Sequence, residues 1–162
     1  MILALDLGTK TGFAYQGENG LIVSGVWDYT AKKGEWVDKR YAHFYDQLGF
    51  ILTWFPSINE VWYEEPTPQS TNARKVLYGL LAILKSVCYN WDITPHTDDN
   101  NRGVHPTTLK KWCTGNGRAD KQAMIDYANG IMNEQGQEFI TDDNQADAVC
   151  LLAYAEAHSV KT

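Results

Sequence analysis

A chain of 162 residues, 44 % hydrophobic and 21 % charged, has the size and composition of one globular domain. Its net charge of −6 provides no overall attraction for nucleic acid, so such a partner would have to be held by a local basic stretch. No apolar run approaches the ~18 residues of a membrane span, and the three cysteines, Cys88, Cys113 and Cys150, form neither a disulfide framework nor a zinc pattern. The first residues are an apolar strand without a basic leader or cleavage site, so a reducing, cytoplasmic setting is expected.

Residues 1–6 predict a buried strand, followed by the turn signal Gly8-Thr9-Lys10-Thr11-Gly12. Segments 12–16 and 21–29 predict two more strands, joined by the hairpin turn Gly17-Glu18-Asn19-Gly20. After a polar linker at 32–35, Val37, Tyr41, Phe44, Leu48 and Ile51 or Leu52 share one face of a helix over 36–55, which Pro56 ends. A fourth strand is expected at 60–64 and a loop at Pro66-Thr67-Pro68. A second helix over 72–89 is apolar at Val76, Leu77, Leu80, Leu81, Leu84 and Val87.

A short fifth strand is expected at 92–95 and a polar loop at 97–105. Pro106 suits the first turn of a helix over 106–113, and Gly115-Asn116-Gly117 breaks the chain before a helix over 120–133. Thr141 is expected to cap the last helix, from 142 to about 158. Three strands followed by alternation predict an α/β fold, a mixed five-stranded sheet flanked by helices, in one domain over 1–162.

Acids stand where buried strands and helices would end or begin. Asp6 closes the apolar run Ile2-Leu3-Ala4-Leu5, and Glu64 closes Val61-Trp62-Tyr63. Asp143 and Asp147, four apart, share one helical face. A charge at the end of a buried strand is costly unless compensated, and three segments delivering carboxylates suit hard divalent cations with oxygen ligands.

Each acid also has a plainer reading. Asp6 could bond its own turn, Glu64 could be a solvated strand end, and Asp142 and Asp143 could simply favour a helix N-terminus. Asp147 lies one turn deeper, within Ala146-Asp147-Ala148-Val149, where a macrodipole gives no reason for it. The Asp6–Gly12 segment also suits a phosphate-cradling turn of the kind used by actin-like ATPases and sugar kinases.

Positive charge is concentrated in Arg102, Lys110, Lys111, Arg118 and Lys121, a stretch with Asp120 as its only acid. Lys110 and Lys121, with a glycine loop between them, can grip phosphate; the commoner fate of lysine is a solvated surface. Arg74 and Lys75 are further candidates for contact with a nucleic-acid backbone. His43, His96, His105 and His158 have no metal-like spacing and read as surface or loop residues. Trp36, Tyr41, Phe44 and Tyr45 fall at helical spacing and read as core.

Four stretches together resemble the RuvC-type Holliday-junction resolvases of the ribonuclease-H-like superfamily, in particular the short phage-encoded ones. They are Leu3-Ala4-Leu5-Asp6-Leu7-Gly8, Val61-Trp62-Tyr63-Glu64-Glu65, Lys110-Lys111 with Thr114-Gly115-Asn116-Gly117-Arg118-Ala119-Asp120-Lys121, and Asp143-Asn144-Gln145-Ala146-Asp147-Ala148. The resemblance implies a ribonuclease-H-like fold and a homodimer that nicks four-way DNA junctions using Mg²⁺ or Mn²⁺, two ions per active site.

By the same resemblance, Asp6, Glu64 and Asp147 match the catalytic, metal-binding acids. Lys110 and Lys121 match basic residues near the scissile phosphate, with Lys111 and Arg118 beside them. The second helix acid of many members falls here on Asn144, and Asp143, one residue earlier, takes its place. The aromatic wedge of the cellular enzymes meets Thr67, which implies looser selection among branched DNAs.

The expected activity is metal-assisted phosphodiester hydrolysis, with Asp6, Glu64, Asp143 and Asp147 holding metal and Lys121 neutralising charge on the phosphate. Three other readings compete: an actin-like ATPase-type phosphate-binding fragment, a catalytically inactive junction-binding module, and a ribonuclease acting on RNA–DNA hybrids. The first needs a second phosphate loop that is not visible, correctly placed acids argue against decay, and the basic stretch favours junction DNA over a hybrid.

Overall fold

The structure is a computed structural model, describing residues 1–68, 70–97 and 101–159. Its frame is a four-stranded sheet in the order β3-β2-β1-β4, built from β1 (Ile2–Asp6), β2 (Lys10–Gln16), β3 (Ile22–Asp28) and β4 (Glu60–Tyr63). β1 lies at the centre, antiparallel to β2 with Asp6 opposite Gly12, and parallel to β4 with Leu5 opposite Tyr63. Five helices complete the order: α1 (Lys39–Trp54), α2 (Thr71–Asn90), α3 (Pro106–Thr114), α4 (Lys121–Glu134) and α5 (Asp143–His158). Among the described residues, no helix is long and apolar enough to cross a membrane.

The fifth strand expected at 92–95 does not form. The outer edge of β4 meets two isolated parallel bridges instead, at Val61 with Pro95 and at Glu64 with Val104. His96 N–H donates to the Val61 carbonyl at 2.7 Å and Val104 N–H to the Tyr63 carbonyl at 2.9 Å. Pro95 has no N–H to continue a ladder, so the edge is paired piecemeal. Of the expected loop 97–105, residues 98–100 lie outside the described residues.

Strand alternation sorts the sheet's side chains into two cores. Leu3, Leu5, Val61 and Tyr63 face α1 and α2, where Phe44, Leu48, Leu52, Leu80, Leu84 and Val87 are buried. Ala4, Ala14 and Trp62 face the other layer, with Leu109 of α3, Met124 and Ala128 of α4, and Ala146 to Leu152 of α5 except Asp147. Small residues on both surfaces, Ala4 and Ala14 against Ala146 and Ala148, let α5 lie close to the strands.

Helix starts follow local chemistry. The Asp142 carboxylate accepts from the Asn144 and Gln145 amides at 2.9 and 3.2 Å, so Asp142 rather than Thr141 caps α5. Such a cap contributes on the order of 1 kcal/mol. Asp120 caps α4 through the Ala123 amide, and Gly115, at φ 77°, ends α3 in the left-handed region that glycine tolerates. α1 begins at Lys39, later than position 36, because its expected first turn is not helical. Trp36 is consequently 71 % exposed and Tyr45 points outward, while Phe44 is fully buried; the expectation of four core aromatics holds only in part.

Candidate functional site

The parity that builds the two cores also aims the acids. Asp6 and Glu64 are even-numbered like Ala4 and Trp62, so their side chains emerge on the α5 side of the sheet. The two strand ends are adjacent, with Glu64 N–H donating to the Leu5 carbonyl at 3.2 Å. The first two turns of α5 bring Asp143 and Asp147 over this edge on one helical face.

The charges register one another. Burial, then the carboxylates of Glu64, Asp147, Asp143 and Asp142, hold the Asp6 carboxyl well above the usual carboxylate range. Burial and Asp147 push Glu64 up to about 8, with Lys110 opposing. Burial pushes Asp147 up to about 6 against the pull of Lys110 and Lys121, with Asp143 adding to the rise. Asp143 is ion-paired with Lys121, whose ammonium is held above its usual value by that bond and charge. Asp6, Glu64, Asp143, Asp147, Lys110 and Lys121, scattered in sequence, are brought by the fold within electrostatic reach at one end of the sheet.

The donor set suits a hard cation. It is all carboxylate oxygen, partly desolvated and short of positive charge, a situation that bound metal relieves. The side chains are grouped but not converged: among the described residues, no three Asp, Glu, His or Cys side chains are set to hold a metal ion. The neighbouring Asn144 and Glu65 side chains are engaged elsewhere. The Asn144 amide donates to Asp142 at 3.1 Å, and a Glu65 oxygen accepts from Gly103 N–H at 2.8 Å. The Cys150 thiol is kept protonated by its hydrogen bond with Cys113 and by burial.

The turn after Asp6 is closed on itself. The buried Thr11 hydroxyl donates to the Gly8 carbonyl at 2.8 Å and accepts from the Gly8 amide at 3.3 Å. Groups that a phosphate cradle would present are thereby used, which counts against the ATPase-type reading.

The cations fall into two groups. Lys110 is half-buried on α3, Lys111 and Arg118 are exposed, and Lys121 opens α4. Arg74 and Lys75 lie apart from these, exposed on the first turn of α2. Lys75 lines a cleft of about 620 Å³ with Thr9, Arg40 and Asn72, on the α1 side of the strand ends. Arg40, which the sequence did not single out, donates to the Val37 carbonyl at 2.7 Å and reaches Thr9 Oγ1 at 3.4 Å. Of the histidines, His105 caps α3 and His96 stacks on Trp62 with ring centroids 3.4 Å apart. His158 stacks on Tyr154; all four histidines are exposed, as expected of surface or loop residues.

No protein-family model matches the chain, and no curated protein matches it in sequence. Solved structures do match it in fold. Thermus thermophilus RuvC in complex with a Holliday junction substrate superposes with a TM-score of 0.71 at 16 % identity, over 93 % of this chain and 89 % of that one. A second Thermus thermophilus RuvC structure gives 0.68 at 17 % identity, over 96 % and 95 %. The yeast mitochondrial Holliday junction resolvase Ydc2 gives 0.57 at 16 % identity, over 94 % and 75 %. The chain has the RuvC-type, ribonuclease-H-like fold, with a sheet of four strands.

Proposed function

We propose that this chain, which has the fold of RuvC, is an endodeoxyribonuclease that resolves four-way DNA junctions and cuts other branched DNA by metal-assisted phosphodiester hydrolysis. The observation that carries the reading is the grouping of the Asp6, Glu64 and Asp147 carboxyls at neighbouring strand ends under one helix, all desolvated and raised, with Glu64 and Asp147 raising Asp6 and Asp147 raising Glu64. A structural core gains nothing from gathering three desolvated acids at one edge; a cation site does. The likeness to a RuvC bound to a Holliday junction substrate supports branched DNA as the substrate class.

Asp6, Glu64 and Asp147 would hold the metal, Mg²⁺ or Mn²⁺, with Asp143 as the fourth acid. Metal held there would supply Lewis acidity for activating water and for stabilising charge on the leaving oxygen. The chain's own residues do the rest. Lys110 opposes the rise of Glu64 and Asp147 and so favours their ionised, metal-binding forms. Lys121 is bound to Asp143 and is otherwise exposed, so it can turn to a phosphate that arrives beside the acids. Lys111, Arg118, Arg74 and Lys75 would contact the backbone of the arms. Recognition would rest on backbone and shape, since nothing in the chain resembles a base-reading helix.

We further propose that the 162 residues act as a single nuclease domain and as a homodimer, which paired nicking requires. The long apolar face of α2 is spent inside the subunit, with Leu80, Leu81, Leu84, Val87 and Cys88 buried. Support for a dimer comes instead from outward-facing aromatics at the C-terminal ends of α1 and α2. Phe50 and Trp54 pack together at 5.6 Å, and Tyr89 is 84 % exposed. Sedimentation at micromolar concentration tests this, and a strict monomer contradicts paired cutting.

The activity is tested by incubating the protein with four-way, three-way, flap and linear DNA in Mg²⁺, Mn²⁺ or Ca²⁺. Nicking of branched substrates in Mg²⁺ or Mn²⁺, with little on linear duplex, is expected. Binding without cleavage in every metal would favour the inactive junction-binding reading.

A further inference from the structure

Glu65 follows the strand-end acid directly, yet its carboxylate serves a different partner. Its Oε2 accepts from Gly103 N–H at 2.8 Å, and its own N–H donates to the Val104 carbonyl at 2.8 Å. Val104 N–H returns to the Tyr63 carbonyl at 2.9 Å, and Val104 bridges Glu64. The segment is pressed hard onto β4, because a Cβ on Gly103 would lie 2.4 Å from the Tyr63 carbonyl oxygen. Two residues further, the His105 ring accepts from Thr107 N–H at 3.2 Å and starts α3, which carries Lys110. In place of a regular fifth strand, one side-chain hydrogen bond and two backbone bonds join the strand end bearing Glu64 to the helix bearing Lys110.

We propose that Glu65 is a positioning residue for the nuclease: its carboxylate clamps Gly103 and so fixes Glu64 and the start of α3 relative to each other. The inference rests on the nuclease reading. A half-buried carboxylate receiving a backbone N–H makes a charge-assisted bond, stronger than a neutral one. Groups that orient ligating carboxylates typically matter by about 10- to 100-fold in activity or metal affinity.

The test compares Glu65→Gln with Glu65→Ala in the full chain. Gln keeps an oxygen that accepts from Gly103 N–H; Ala does not. Cleavage of a four-way junction is measured at saturating DNA over a Mg²⁺ titration, and amide exchange at Gly103 and Val104 without metal or DNA. Glu65→Ala is expected to lower kcat about 10- to 100-fold with KM for junction DNA nearly unchanged, and to speed exchange at Gly103. Glu65→Gln is expected to restore most of the rate at an unchanged Mg²⁺ requirement.

If Glu65→Gln falls as far as Glu65→Ala and needs more Mg²⁺, Glu65 is a metal ligand and the proposal is wrong. Unchanged exchange and unchanged kcat in Glu65→Ala, with an active wild type, overturn it alone. A wild-type chain that cleaves no branched DNA overturns the nuclease reading and this proposal together.

Discussion

Gly12 and Asn144 touch backbone to backbone: a Cβ on Gly12 would lie 1.9 Å from the Asn144 carbonyl oxygen. Gly12 sits opposite Asp6 in the β1–β2 register, and Asn144 lies between Asp143 and Asp147 on α5. The height of the helix acids above the strand acids is therefore set by a residue without a side chain. Gly12→Ala should force the first turn of α5 outward and destabilise the fold by about 1–3 kcal/mol, as overpacking does. Cleavage measured well below the melting temperature should fall further than that loss explains. A variant with wild-type cleavage would show that α5 can shift without harm.

The acidic edge predicts a pH-dependent fold in the absence of metal. An acid whose pKa rises on folding binds its proton more tightly in the folded state. Its contribution to stability is full below the ordinary carboxyl range and is lost as pH climbs through the folded value. With Asp147 at about 6 and Glu64 at about 8, Tm in chelator should fall steadily from about pH 5 to about pH 8.5. Mg²⁺ should reverse the loss, by about 2.7 kcal/mol at a hundredfold excess over Kd. Differential scanning calorimetry across that range checks both signs; a Tm that rises with pH in chelator contradicts the crowding of these carboxyls.

Lys110 opposes the rise of both Glu64 and Asp147. Lys110→Met should push both carboxyls higher still, so the rising limb of the pH–rate profile should move to higher pH. Lys121, exposed and tied chiefly to Asp143, should lower the rate when replaced by Met without an equal displacement of that limb. Cleavage rates between about pH 6 and 9 at fixed Mg²⁺ separate the two roles.

The cleft shared by Thr9, Arg40, Asn72 and Lys75 carries two cations near the strand ends, and the proposed function would lay an arm of the junction along it. Charge reversal of Arg40 and Lys75 should weaken junction binding and lower the salt slope by about one per lost phosphate contact. Binding isotherms at several salt concentrations decide it, and an unchanged slope would remove the cleft from the DNA path.

Much of this was legible in the chain because burial writes itself into strand runs. Asp6 and Glu64 stood out as charges closing apolar segments, and Asp147 as a charge inside an apolar helix. Their joint facing also follows from strand parity. The short fifth strand expected at 92–95 failed because Pro95, at its end, cannot extend a ladder. Trp36 fell outside the core because α1 starts after it, at Lys39, while Tyr45 lies within α1 but off the face that buries Phe44, Leu48, Ile51 and Leu52.

Other features had no local signal. Gly103 and Gly12 matter through contacts with residues 40 and 132 positions away in sequence, which no spacing rule connects. Arg40 gains its place from Thr9, 31 residues earlier.

The central claim is that acids from distant segments jointly hold divalent ions beside a DNA backbone. Its most direct test is nicking of a synthetic four-way junction in Mg²⁺ by Asp6→Asn and Asp147→Asn, with junction binding measured in Ca²⁺ alongside. The account predicts a loss of at least about a hundredfold in cleavage for each variant with binding retained. Normal nicking by both variants would contradict it.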